Sequence, residues 1–316
     1  MQFLNNFLLA ILCGLLGAHP VAALAQDGCP PTPTVPTATE IAELQKSAKD
    51  RGFLWRISKG GVASYLYGTI HVSKREWAFP GPQLVQAVLQ SDTVALELNP
   101  LDPATMAQLV QGMLDKTGIG LPAALEARVA RQAAASCVPA AQIKALRPEF
   151  QIVMLTVLAL KRQGIDPNYG ADSVIAGIAS STKKPIEALE TVADQLKLMQ
   201  ADNPAQALVG LEEGLVQLEN GSAQTLMGKL AQSWADSDHA TISSYADWCQ
   251  CINTDKERAE MKRTLDDRNL PMADRIDTLH TQGRKVFTAV GALHMMGPMG
   301  LPALMQQRGY VVEKVF

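Results

Sequence analysis

Two short stretches decide how this chain is read: Gly68-Thr69-Ile70-His71-Val72 and Gly291-Ala292-Leu293-His294-Met295. Each runs glycine, two residues, histidine, apolar residue, and each follows a β-rich apolar run, Val62 to Tyr67 in one case and Lys285 to Val290 in the other. Each then passes through prolines, Pro80 and Pro82 or Pro298 and Pro302, into a helical pattern and a further strand carrying a glutamate, Glu97 or Glu313. Such internal repetition predicts an α/β protein with a mixed α+β sheet, in which two pseudo-repeated β-loop-α-β halves form the central sheet. A hairpin stands in front of the first half, with Phe53 to Ser58 leading through Lys59-Gly60-Gly61 into Val62.

Between the halves, from about 103 to 283, the chain turns rich in Ala, Leu, Gln and Glu with apolar residues at helical spacing, which predicts a large helical insertion. Pro103, Pro122, Pro139, Pro148, Pro204 and Pro271 mark helix starts, and Gly164, Gly221 and Gly283 mark helix ends. Lys184-Pro185 leads into Ile186-Glu187-Ala188-Leu189-Glu190, a run short and apolar enough to be an internal strand. The expected organisation is a signal peptide over 1–25, a Pro/Thr-rich leader and first helix over 26–52, and one domain over 53–316.

The chemistry follows from where the repeats put their histidines. Ligands of open α/β sheets bind beyond the carboxyl ends of the strands, and a glycine there lets backbone approach a ligand closely. One histidine after a strand is more often a core or loop-capping residue; two in matched contexts point to one shared site. If the repeats pair, neighbouring strands about 5 Å apart bring His71 and His294 together. Glu97 interrupts an otherwise apolar strand, where a charge is costly unless paired or bound to metal. His71, His294 and Glu97 thus form a candidate set for a divalent ion such as zinc or manganese that would activate water.

Arg263, Asp266, Asp267, Arg268 and Asn269 read first as a solvated helix face, although Arg268 and Asn269 could reach the crevice and stabilise developing negative charge. Glu190 is a second carboxylate candidate. Asp238 reads as an N-cap, His239 as a surface residue, and His280 as a cation near a helix end. No Gly-x-Ser-x-Gly elbow, phosphate-binding glycine loop or His-Glu-x-x-His occurs, which removes support for serine hydrolase, nucleotide-binding and zincin readings.

A net charge of −3 over 316 residues leaves no basic field for nucleic acid or anionic lipid, so no nucleic-acid partner is expected. The first 25 residues carry no Lys, Arg, Asp or Glu, and the apolar run from Phe7 to Leu16 ends in Ala22-Ala23-Leu24-Ala25, the order of an export signal cut after Ala25. Leu12 before Cys13 speaks against a lipid anchor, and the apolar run is short of the roughly 20 residues that span a membrane. A periplasmic or secreted protein without a stable membrane anchor is expected. Cys29, Cys137, Cys249 and Cys251 then favour two disulfides whose pairing the spacing leaves open, with metal ligation by Cys249 and Cys251 as the alternative.

Three motifs carry a family resemblance: Tyr67-Gly68-Thr69-Ile70-His71 with Leu96-Glu97-Leu98; Lys184-Pro185 with Leu189-Glu190-Thr191; and Asp267-Arg268-Asn269 with Val290-Gly291-Ala292-Leu293-His294. In this order they resemble the TraB/PrgY/GumN family, which includes the animal Tiki proteins, and within it the bacterial GumN-like branch associated with exopolysaccharide gene clusters. The resemblance implies paired α/β halves with a helical insertion. By analogy to Tiki it implies a metal-dependent peptidase, with the ion on His71, His294 and Glu97 and Arg268 as polar helper. A peptide or small-molecule substrate is expected. The competing reading is a non-catalytic binding protein for a peptide, glycan or metal-containing ligand, since fold membership alone does not establish a reaction.

Overall fold

The computed structural model describes residues 29–30, 37–116 and 118–316. The segment read as an export signal lies outside the described residues, as does Cys13. Helix α1 (Ala38–Lys46) opens on a capping box between Thr37 and Glu40. The hairpin follows, β1 (Phe53–Lys59) pairing antiparallel with β2 (Val62–Thr69) from Lys59↔Val62 to Phe53↔Gly68. Gly60 and Gly61 take φ of 60° and 80°, the two left-handed residues a tight hairpin turn requires. Next come β3 (Ser73–Lys74), α2 (Pro82–Gln90) and β4 (Thr93–Leu96).

The long middle segment is helical, as its periodicity predicts. It runs through α3 (Pro103–Met113), α4 (Ala123–Ala135), α5 (Ala140–Lys144), α6 (Pro148–Ala159), β5 (Ile165–Asp166) and α7 (Ala171–Ser181). After β6 (Ile186–Ala188) come α8 (Val192–Met199), α9 (Pro204–Glu219), α10 (Ser222–Ala235), α11 (His239–Ser243), α12 (Tyr245–Trp248), α13 (Asp255–Thr264) and α14 (Asp266–Thr281). The chain ends in β7 (Val286–Gly291), α15 (Leu301–Gln307) and β8 (Val311–Lys314). Five of the six prolines start or cap helices, but Pro271 lies inside α14, which begins five residues earlier at Asp266. So near a helix start, proline's missing N–H forfeits one bond, to the Asp267 carbonyl, and the turn survives.

The main sheet has the order β6-β4-β7-β2-β1-β8. Only β1 runs against the rest, and β3 pairs with β5 in a separate two-stranded sheet. Both repeats are therefore crossover units whose strands are not neighbours: β7 enters between β4 and β2, and the hairpin lies between β7 and β8. One buried cluster packs on the sheet around Leu66, Tyr67, Phe287 and Val290. A second fills the helical segment around α6, where Phe150, Ile152 and Leu155 are fully buried, each such side chain contributing about 1.5–3 kcal/mol.

Cys29 pairs with Cys137, tying the leader to the end of α4, and Cys249 pairs with Cys251, which replaces the metal-ligand alternative for those two sulfurs. Asp238 caps α11 through the Thr241 N–H. His239 is not a plain surface residue, since its ring stands edge-on to Phe53 and Trp55. His280 is buried, with Nδ1 at 2.8 Å from Ser64 Oγ and Nε2 at 3.1 Å from the Lys59 carbonyl, so it is a hydrogen-bonded core residue. No helix among the described residues is long and apolar enough to cross a membrane.

Candidate functional site

Parallel pairing of β2 and β7 sets Thr69 opposite Gly291. His71 lies two residues past the first strand and His294 three past the second, in a 3-10 turn over Ala292–Met295. That turn packs on the end of β2 because Gly68 has no side chain: a Cβ there would sit 3.0 Å from Ala292 Cα. Glu97 follows β4 directly, on the other side of β7. The structure thus brings together residues from three adjacent strand ends, and all three side chains are buried.

Each histidine is held through Nδ1. His71 Nδ1 lies 2.5 Å from Asp172 Oδ2, while Thr69 Oγ1 donates to Asp172 Oδ1 at 2.5 Å. Asp172 sits in the first turn of α7, where backbone N–H dipoles favour a carboxylate. The helix start is pressed onto the histidine: Ala171 N–H donates to the Ile70 carbonyl, and a Cβ on Gly170 would fall 2.5 Å from the His71 carbonyl oxygen. Burial alone would lower the pKa of His71; the charge and hydrogen bond of Asp172 outweigh it and raise it above the ordinary histidine value.

His294 has the opposite environment. Its Nδ1 lies 2.7 Å from Asn269 Oδ1, and Asn269 Nδ2 donates to the Met299 carbonyl at 2.8 Å, which fixes the amide orientation. Nδ1 therefore carries the hydrogen and Nε2 is an acceptor, 3.1 Å from Arg268 Nη1. Burial, then the Arg268 charge, bring the pKa of His294 down to about 3, so the ring is neutral at neutral pH.

Arg268, in the first turn of α14, binds Glu190 through Nε at 2.7 Å and Nη2 at 2.5 Å, and Glu97 through Nη2 at 2.7 Å. Its Nη1 also donates to the Thr264 carbonyl at 3.1 Å. Gln195 bridges the two carboxylates, donating to Glu97 at 3.2 Å and Glu190 at 3.0 Å. Gly291 N–H donates to Glu97 Oε1 at 2.9 Å. Burial would push the pKa of Glu97 up, but the Arg268 guanidinium, chief among the opposing charges and bonds, brings it to about 2.

The site closes around Gly291. A Cβ built there would lie 3.5 Å from Glu97 Oε1, 3.6 Å from His294 Cδ2 and 4.0 Å from His71 Nε2. Two imidazoles and a carboxylate suit zinc or a similar divalent ion. The Nδ1 anchors, Asp172 and Asn269, are the kind of outer partner that fixes the tautomer of a metal-binding histidine. As they stand, no three His, Cys, Asp or Glu side chains among the described residues form a group that could hold a metal ion, and the Arg268 guanidinium contacts both Glu97 and His294.

Of the weaker candidates, Glu190 and Asn269 belong to this cluster, while Arg263 and Asp267 are exposed. Glu313, the repeat's counterpart of Glu97, is exposed and pairs with Arg56. Sequence reasoning missed Asp172 and Gln195. Asp172 is the only charge in the apolar helix Ala171–Ser181, the same signal that marked Glu97, whereas Gln195 is uncharged and is set apart only by its place between Val192 and Met199 on a buried face.

The chain is similar to the human metalloprotease TIKI1, at 25% identity over 97% of this chain and 68% of that protein. It is also similar to a metalloprotease TIKI homolog of Nematostella vectensis, at 26% identity over 83% of this chain and 67% of the other. No solved structure matches it. The TraB/PrgY/gumN family matches residues 53–314, from the first strand of the hairpin to the last strand of the sheet, and the chain belongs to that family.

Proposed function

We propose that this protein is an exported, metal-dependent hydrolase acting on peptides, with His71, His294 and Glu97 as ligands of a divalent ion. The observation that carries the reading is the convergence of two anchored imidazoles and one carboxylate around Gly291. The metalloprotease names of the two relatives support the reaction class. When bound, the ion would supply Lewis acidity toward water and toward the carbonyl under attack.

The protein's own groups have separable tasks. Asp172 and Asn269 orient the histidines. Arg268 keeps a two-point hold on Glu190 that is independent of Glu97, and its guanidinium stabilises negative charge as it develops on a carbonyl oxygen. Gln195 holds Glu97 and Glu190 in register. The region 53–316 acts as one domain, with the helical segment shaping access to the crevice, and the N-terminal 25 residues direct export to the periplasm or beyond.

A second reading, a binding protein without catalysis, is favoured by the contact between Arg268 and His294 Nε2, which leaves that nitrogen already engaged. Metal analysis of purified protein, paired with peptide-library cleavage with and without zinc or manganese, separates the two. Stoichiometric metal that is lost in a His71→Ala, His294→Ala double variant, together with metal-dependent products, supports the hydrolase. Intact peptides under every ion tested refute it.

A further inference from the structure

The Cys249–Cys251 disulfide is poorly explained as a staple. It closes a loop with one residue inside, and loop closure is the origin of a disulfide's stabilisation in the chain-entropy account, so this bond constrains the unfolded chain very little. Cys29–Cys137, spanning 108 positions, is the bond that serves that purpose. Gln250, the residue inside the loop, stands at φ 53°, a left-handed conformation that costs free energy for a residue with a side chain. A bond that adds little stability and keeps backbone strain is of the labile, exchanging kind.

Its surroundings suit exchange. Cys251 lines a hollow of about 440 Å³ between α8, α9 and α13, a size that accepts a short peptide segment. Lys256 and Arg263 share the wall with Asp202, Glu213, Glu257 and Glu260, set among apolar side chains such as Met199 and Val209, so the hollow is partly apolar with an excess of acidic groups. Cys251 N–H lies 3.1 Å from Cys249 Sγ, a donor in place for a thiolate formed there. The Tyr245 hydroxyl lies 3.7 Å from Cys251 Sγ.

We propose that Cys249–Cys251 is a thiol–disulfide exchange site that oxidises peptide dithiols entering this hollow. A substrate thiolate attacks Cys251 Sγ; the new bond joins the two sulfurs, the Cys249–Cys251 bond breaks, and its electron pair leaves on Cys249 Sγ beside the Cys251 N–H. The substrate's second thiol, as thiolate, attacks its own sulfur in the mixed disulfide and releases Cys251. The two protons lost by the substrate end on Cys249 and Cys251. One protein disulfide is reduced for each peptide disulfide formed.

The full chain is equilibrated in glutathione buffers of graded composition, and each disulfide is quantified by differential alkylation and mass spectrometry. Cys249–Cys251 reaches half-reduction at a ratio of [GSH]² to [GSSG] at least tenfold lower than Cys29–Cys137; the same ratio or the reverse order overturns the proposal. A synthetic peptide with two thiols is oxidised in a burst of one equivalent, and a Cys249→Ser, Cys251→Ser double variant loses that burst; a surviving burst overturns the proposal. Cys249→Ser forms a mixed disulfide with glutathione disulfide at least tenfold faster than Cys251→Ser does, because Cys251 lines the hollow and Cys249, equally buried, does not; equal rates overturn the assignment. If a variant fails to fold, the titration of the unsubstituted chain still decides.

Discussion

Replacing Arg268 with methionine tests the charge balance that holds the site. The guanidinium sits between two buried carboxylates, and without it Glu97 and Glu190 face each other across Gln195. The depression of Glu97 from 4.5 to about 2 corresponds to roughly 3 kcal/mol, at about 1.4 kcal/mol for each pH unit. Removing one partner of a buried ion set costs about 3–5 kcal/mol, and methionine keeps much of the apolar stem, so the deficit at pH 7 is expected in that range. A carboxylate with a depressed folded pKa contributes stability above its unfolded value, and that contribution is lost as pH falls through the folded one. The gap between the two chains is therefore widest near neutrality; it begins to narrow above pH 4.5, because burial without the guanidinium favours protonated Glu97 in the variant, and narrows further as the wild-type contribution is lost between 4.5 and about 2. Urea unfolding of chelator-treated wild type and Arg268→Met at pH 7 and pH 3 measures it. If a divalent ion takes the vacated charge, adding it at 100 times its Kd restores about 2.7 kcal/mol. A variant within about 1 kcal/mol of wild type at pH 7, or a deficit independent of pH, refutes the reasoning.

Substitutions at three further positions probe the surroundings. Asp172→Ala strands the His71 Nδ1 hydrogen and the Thr69 hydroxyl and should destabilise by about 2–4 kcal/mol and weaken metal affinity about 10–100-fold. Asp172→Asn keeps hydrogen-bonding capacity and should cost clearly less in both unfolding and competitive metal titration; equal effects would contradict this role. Gly170→Ala pushes a methyl against the His71 backbone, with no relief available from a mobile side chain, so a loss of about 1–3 kcal/mol is expected in thermal unfolding. An unchanged melting temperature would show that the contact is slack. For His294, whose folded pKa of about 3 lies below the unfolded 6.5, the unfolded chain takes up a proton first. Its contribution is thus complete above pH 6.5 and lost as pH falls toward about 3; His294→Gln should flatten that part of the stability profile, and an unchanged slope would count against a neutral buried ring.

Local chemistry was legible wherever the chain itself supplied the punctuation. Gly60-Gly61 gave the hairpin, Pro82 opened α2, and Lys184-Pro185 announced β6. The repeated Gly-x-x-His turns were legible because their spacing is local, although their proximity depends on a pairing across the whole chain. Pro271 misled because proline's effect on a helix depends on how far from the start it falls. His280 looked like a dipole-stabilised cation, but Ser64 and Lys59, over 200 positions away, claim both ring nitrogens. Asp172 and Gln195 were overlooked for a similar reason. Their partners, His71 and Glu97, lie about 100 positions away, so nothing adjacent in sequence declares the hydrogen bonds.

The strand order has a consequence for biosynthesis. β7 and its turn occupy the middle of the sheet, yet they leave the ribosome after every other strand of it except β8. Until they arrive, β4 and β2 have an unfilled slot between them, so the nascent chain holds a split sheet and only one of the two histidines. Long-range closure of this kind slows folding, and it also means that no early fragment can assemble the full set of His71, Glu97 and His294.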